Sequence, residues 1–97
     1  SKMSDKTTNI ELAIPIEKEG SEPITHVELR KPYAGELRGL SFTKVLEMDF
    51  DTMATLIPRI SDLKPRDLIN LEPENITPLF VGVAGFFVIT DTKSQIE

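Results

Sequence analysis

The sequence predicts an α+β fold: an N-terminal antiparallel β-hairpin packed against three to four helices, with an apolar C-terminal helix at the centre. Three observations predict it. Apolar residues alternate with polar ones in two early segments, the spacing becomes helical after residue 40, and 16 residues from Asn75 to Thr90 carry no charge. A period of two marks a strand with one buried face, and recurrence at i, i+3, i+4 and i+7 marks one face of a helix. With 97 residues a single domain is expected, because two would each bury too little surface.

The chain is expected to divide into a disordered polar tail over 1–8, one domain over 9–90 and a polar tail over 91–97. Met3 reads as the natural start, with Ser1 and Lys2 added ahead of it. In NIELAIPIE, Ile10, Leu12, Ile14 and Ile16 share one face. Pro15 offers no N–H to a ladder, so it is expected at an edge or near the strand end. The turn-rich KEGSEP leads into ITHVELRKP, where Thr25, Val27 and Leu29 alternate with His26, Glu28 and Arg30. Neighbouring strands with a short polar connection form a hairpin, and a lone hairpin needs a covering layer.

KPYAGELRGL then reads as a turn from sheet to helix, in which Pro32 sets the exit and the glycines supply permissive backbone. Arg38 within it is expected to tie the hairpin to the helices through a carboxylate or a helix C-terminus, or else to meet a partner chain. Ser41 can cap a first helix, and Asp49 or Asp51 a second. In the second, Phe50, Met53, Ala54 and Ile57 fall on one face, and Pro58 marks its end or a kink. Lys64 or Asp62 stands before a short third helix with Pro65 in its first turn and Leu63, Leu68, Ile69 and Leu71 as its apolar residues. Pro73 suits the start of the last helix, and Pro78 is tolerated there if the helix begins around Asn75 to Thr77. Its stripe is Ile76, Leu79, Phe80, Val83 and Phe87, and Gly82 and Gly85 would let a neighbour approach closely.

Composition excludes several classes of function. Without cysteine there is no disulfide or thiolate chemistry. One histidine, His26, is expected as an ordinary strand residue, and no metal-ligand spacing accompanies it. Asp49 and Asp51 point apart on a helix and make better caps than a catalytic pair. Gly35 and Gly39 lack the lysine of a phosphate loop. No catalytic residue, cofactor or metal is therefore expected. A net charge of −5 disfavours nucleic-acid binding, and the final apolar run is shorter than the roughly 20 residues of a membrane span. An interaction protein remains.

The ordered fragments resemble the E-type tail assembly chaperones of temperate contractile-tailed bacteriophages, including Mu-type prophages. The resemblance rests on Leu29, Arg30 and Pro32; Gly35, Leu37, Arg38 and Gly39; Leu56, Pro58, Arg59 and Ile60; Leu63 and Asp67; Leu71, Pro73 and Asn75; and Gly85, Phe86 and Phe87. It departs from the family at Asn75, where an acid is common. It implies a non-enzymatic protein of the host bacterial cytoplasm, absent from the mature virion, that binds the tape measure protein and keeps it soluble during tail tube polymerisation. A longer frameshifted form of the chain and the tail tube protein are further implied partners, and the apolar last helix makes a homo-oligomer plausible. A client helix needs an apolar groove. The expected contributors are Leu37, Arg38, Met53, Leu56, Phe80, Val83, Phe86 and Phe87, with Met48 as an adaptable contact. The alternative readings are a small structural tail or baseplate subunit of the virion and a small DNA-binding regulator.

Overall fold

The computed structural model describes residues 7–87. Strands β1 (Thr7–Ile16) and β2 (Ile24–Arg30) are followed by a 3-10 turn over Ala34–Leu37 and four helices, α1 (Phe42–Leu46), α2 (Phe50–Ile60), α3 (Pro65–Ile69) and α4 (Pro73–Gly85). The strands pair antiparallel in one two-stranded sheet that packs against the helices, which is the expected α+β arrangement. Thr7 and Thr8 already pair with Arg30 and Leu29, so the strand begins inside the stretch expected as a tail. Ladder pairing engages only the backbone and needs no apolar side chain. Residues 1–6 and 91–97 of the expected tails, and 88–90 of the expected domain, lie outside the described residues.

The hairpin is interrupted at one place. Glu11 faces His26 and Ile16 faces Ile24, so Leu12 to Pro15 bulge against Thr25 alone. A bulge leaves backbone groups without ladder partners, and buried ones must be satisfied elsewhere. Asn75, fully buried in α4, does this for Ile14. Its Oδ1 accepts from the Ile14 N–H at 2.9 Å, and its Nδ2 donates to the Ile14 carbonyl at 2.7 Å. Pro15, next in the bulge, has no N–H to satisfy. The side chain of Asn75 therefore acts as a piece of neighbouring strand.

The core lies between the inner face of the hairpin and the helices. Leu12, Val27 and Leu29 meet Met53, Leu56, Ile57 and Ile60 of α2, Leu68 of α3 and Leu79, Phe80 and Val83 of α4. Gly82 sets how closely α4 approaches the hairpin: a Cβ there would lie 2.6 Å from Ile10 Cδ1 and 3.2 Å from Leu29 Cδ1. Gly85 has nothing within 4 Å of such a Cβ among the described residues, so of the two expected close-approach glycines only Gly82 has that role. α4 starts at Pro73, earlier than Pro78 suggested, which leaves Pro78 inside the helix. Ile69, expected among the apolar residues of α3, is 67% exposed.

Helix ends are specified locally. The Ser41 hydroxyl accepts from the Lys44 N–H at 3.4 Å, and the Asp49 carboxylate takes both the Thr52 N–H at 3.1 Å and its hydroxyl at 2.9 Å. α2 continues past Pro58 to Ile60, and Ser61 then closes it by donating to the Ile57 carbonyl at 2.8 Å. Between α1 and α2 the Met48 N–H donates to Val45 O and the Asp49 N–H to Lys44 O, both at 3.0 Å. That double bond pattern is a Schellman stop, whose left-handed position normally holds glycine. Here it holds Met48, at φ 58°. A left-handed conformation costs a residue with a Cβ about 1 kcal/mol or more. Met48→Gly should therefore raise stability by about 1 kcal/mol, read as a higher Tm; an unchanged or lower Tm would refute this account of the junction.

Candidate functional site

The expected partner-binding residues divide by depth. Met53, Leu56 and Val83 have no exposed surface, and Phe80 has 4%. All four face the core, so they are not offered to a partner in this conformation. Leu37, Phe86 and Phe87 are half-buried against the same core, and Arg38 is exposed. An apolar stripe identifies a helix face that wants covering, and here the hairpin covers that of α4, while α1, α3 and β2 pack around α2.

A different group of apolar side chains reaches solvent. Phe42 is 51% exposed, Leu46 46%, Met48 39% and Phe50 37%. Phe42 and Leu46 lie one turn apart on the same side of α1, and Met48 in the junction and Phe50 at the start of α2 follow them in sequence. Two rings anchor these side chains on α4 and the turn just past its end. Phe42 meets Phe87 edge-on, with centroids 5.5 Å apart and an interplanar angle of 79°. Phe50 leans on Phe80 at 5.9 Å. Such pairs hold each exposed ring in place by about 1 kcal/mol beyond simple burial. Phe42 and Leu46 belong to none of the spacings that marked candidate residues in the sequence. Of this group only Met48 is marked by the sequence as an adaptable contact, together with the buried Met53.

The turn between hairpin and helices is held by an arginine, but not the one expected. Arg38 turns back on its own loop, with Nε donating to the Gly35 carbonyl at 3.1 Å. It neither meets a carboxylate nor ties the hairpin to a helix, because its neighbour Gly39, at φ +79°, redirects the chain there. The tie is Arg59, near the end of α2. Its Nη1 donates to the Glu36 carbonyl at 2.6 Å and the Arg38 carbonyl at 3.0 Å. Arg30 of β2 in turn donates to the Arg59 carbonyl. Strand, helix end and turn are thus joined by two guanidinium groups, each of which can serve several carbonyls. Arg59→Ala is expected to lower stability by about 1 kcal/mol, whereas Arg38→Ala should stay within about 0.5 kcal/mol. Chemical denaturation of both variants decides this; equal effects would refute the assignment.

Asp67 is the one buried carboxylate among the described residues. Its Oδ2 accepts from the Lys64 N–H at 2.8 Å, capping α3, and its Oδ1 pairs with Lys18 Nζ at 2.7 Å. Burial pushes its pKa up, but the hydrogen bonds from Lys18 and Lys64 and the charges of Lys18 and Arg66 outweigh burial and leave it lowered. The Asp49 carboxyl is lowered too, by the Thr52 backbone and side-chain hydrogen bonds. A lowered folded value means that the unfolded chain binds protons first as pH falls. The stabilisation is therefore complete above the unfolded aspartate value of 3.8 and is lost as pH drops through the folded one. Tm should fall on acidification below about pH 4, and Asp67→Asn should flatten part of that fall.

No group of three or more His, Asp or Glu side chains able to hold a metal occurs among the described residues. No helix there is long and apolar enough to cross a membrane.

The profile of the family described as phage tail assembly chaperone proteins, E, or 41 or 14, matches residues 9–88. Tail assembly protein E′ of Escherichia phage P2 is 34% identical over 86 residues, which are 87% of this chain and 60% of that protein. Tail assembly protein E of the same phage is 33% identical over 84 residues, 84% of this chain and 91% of that protein. The chain thus spans about three fifths of the length of E′ and nearly all of E. No solved structure matches it at a significant level.

Proposed function

The chain belongs to the family of phage tail assembly chaperone proteins, so its role lies in phage tail assembly, and we propose that it is a non-catalytic binding protein for the tape measure protein. In this reading it acts in the host cytoplasm, covers apolar helices of its client until tail tube subunits enclose them, and does not enter the finished particle. The observation that carries the proposal is the row of exposed apolar side chains from Phe42 to Phe50 on an otherwise acidic chain. Exposed apolar surface of this kind marks an interaction site, and a net charge of −5 helps keep a protein bearing it in solution.

Co-expression with the tape measure protein of the same phage tests the reading. A soluble complex and a larger soluble fraction of the client are expected. Absence of both would sink it. Mass spectrometry of purified particles tests the second half, since a structural subunit would be found there and a chaperone would not. The pair of relatives E and E′, of which this chain matches nearly all of one and 60% of the other, supports a further element of the proposal: a longer product that shares this domain.

A further inference from the structure

We propose that the surface formed by Phe42, Leu46, Met48 and Phe50 receives an amphipathic α-helix whose apolar stripe is bordered by lysine or arginine. The inference rests on the reading of the chain as a binding chaperone and adds the surface, and the charge, of what it binds.

Geometry supplies the first argument. Phe42 and Phe50 sit on Phe87 and Phe80 of the C-terminal segment, seven positions apart in sequence. Seven helical residues advance about 10 Å and return to nearly the same face. Phe87 lies two residues past the end of α4, so the two rings stand roughly two helical turns apart in the direction of that helix, with Leu46 and Met48 between them in sequence. An incoming helix with apolar residues at i, i+3, i+4 and i+7 matches that row.

Charge supplies the second. Between Ser41 and Asp51 the chain carries Glu47, Asp49 and Asp51 against Lys44 alone, three acidic groups to one basic. Glu47 and Asp51 are exposed, and Asp49 is half-buried with its carboxylate engaged in capping α2. An apolar row rimmed by carboxylates favours a partner with basic residues beside its own stripe. The same rim argues against a second copy of this chain. In a two-fold contact each patch meets itself, so the acidic groups of one copy would face those of the other. An anionic lipid surface would be repelled for the same reason.

Fluorescence anisotropy with two labelled helical peptides tests the proposal, one built of leucine and lysine and the other of leucine and glutamate, each about five turns long. The wild-type chain should bind the lysine peptide at least about tenfold more tightly than the glutamate peptide. Phe42→Ser and Leu46→Ser, both at exposed positions and checked for folding by circular dichroism, should each weaken binding several-fold. Glu47→Lys with Asp51→Lys should abolish the preference for lysine. Equal binding of both peptides, or unchanged binding by the serine variants, overturns the proposal. So does a dimer that Phe42→Ser dissociates without any peptide binding. Co-purification with the tape measure protein separates this inference from the function it rests on. If the wild-type chain captures that protein and Phe42→Ser captures it equally, the surface is wrong and the function stands. If the wild-type chain captures none while the lysine peptide still binds as described, the function falls and the surface stands.

Discussion

Replacing Asn75 by alanine is expected to remove about 3 kcal/mol of stability, enough to lower Tm by roughly 15 °C in a domain of this size. Loss of each of the two hydrogen bonds to Ile14 would leave a part-buried backbone group without its partner, and a backbone group left unpaired away from water costs about 1–3 kcal/mol. The volume lost inside α4 adds to this. Asn75→Asp probes the geometry more finely. A carboxylate can still accept from the Ile14 N–H, but it cannot donate to the Ile14 carbonyl, and it sets a negative charge against that oxygen. The aspartate variant should therefore be less stable than wild type at neutral pH and should recover as pH is lowered and its carboxyl gains a proton to donate. That trend is opposite in sign to the acid response of the wild-type chain. A neutral effect of Asn75→Ala on thermal unfolding would refute the role assigned to this side chain.

The second large effect is expected at Gly82. Valine there would drive its Cβ into the side chains of Ile10 and Leu29 at the distances found for this position, and either those side chains or α4 itself would have to shift. Overpacking of a well-filled interior costs about 1–3 kcal/mol, and a β-branched residue brings further methyl groups into the same space. Gly82→Val should lose about 3 kcal/mol or fail to fold. The comparison that isolates the cause is Gly85→Ala, at an open position in the same helix. There the gain in helix propensity should prevail and add about 0.5–1 kcal/mol. If the two positions respond alike, contact with the hairpin is not what requires Gly82.

Local signals carried most of the fold. The alternation in β1 and β2, the caps at Ser41 and Asp49, and Pro65 in the first turn of α3 are all decided by a few neighbouring residues. They could be read without knowing what lay across the molecule. What escaped depends on partners distant in sequence. Asn75 looked only like a departure from a family pattern, because its meaning lies in a bulge 61 residues away. Arg38 and Arg59 are both arginines beside a helix, and only the path of the turn decides which one reaches the carbonyls. The depth of the expected partner-binding residues was not legible for a related reason. Periodicity shows that Met53, Leu56 and Val83 belong to apolar faces, but it cannot say whether the cover is another element of the same chain or another molecule. The rings that do reach solvent, Phe42 and Phe50, are positioned by contacts with Phe87 and Phe80, and those contacts exist only in the folded chain.

The tie between Ile14 and Asn75 also dictates the order in which this protein can mature on the ribosome. β1 is synthesised first, yet its bulge is satisfied and its inner face fully covered only when α4 emerges, 61 residues later. At elongation rates of about 5–20 residues per second that interval is about 3–12 s, long compared with the microseconds in which a hairpin forms. During it the nascent strands carry an apolar face that α2 can cover only in part. A ribosome stalled ahead of α4 should hold a chain that is sensitive to protease throughout, and protection should arrive in a single late step. A protein placed in this family for its role in assembling phage tails thus begins its own existence with an apolar face waiting for a cover.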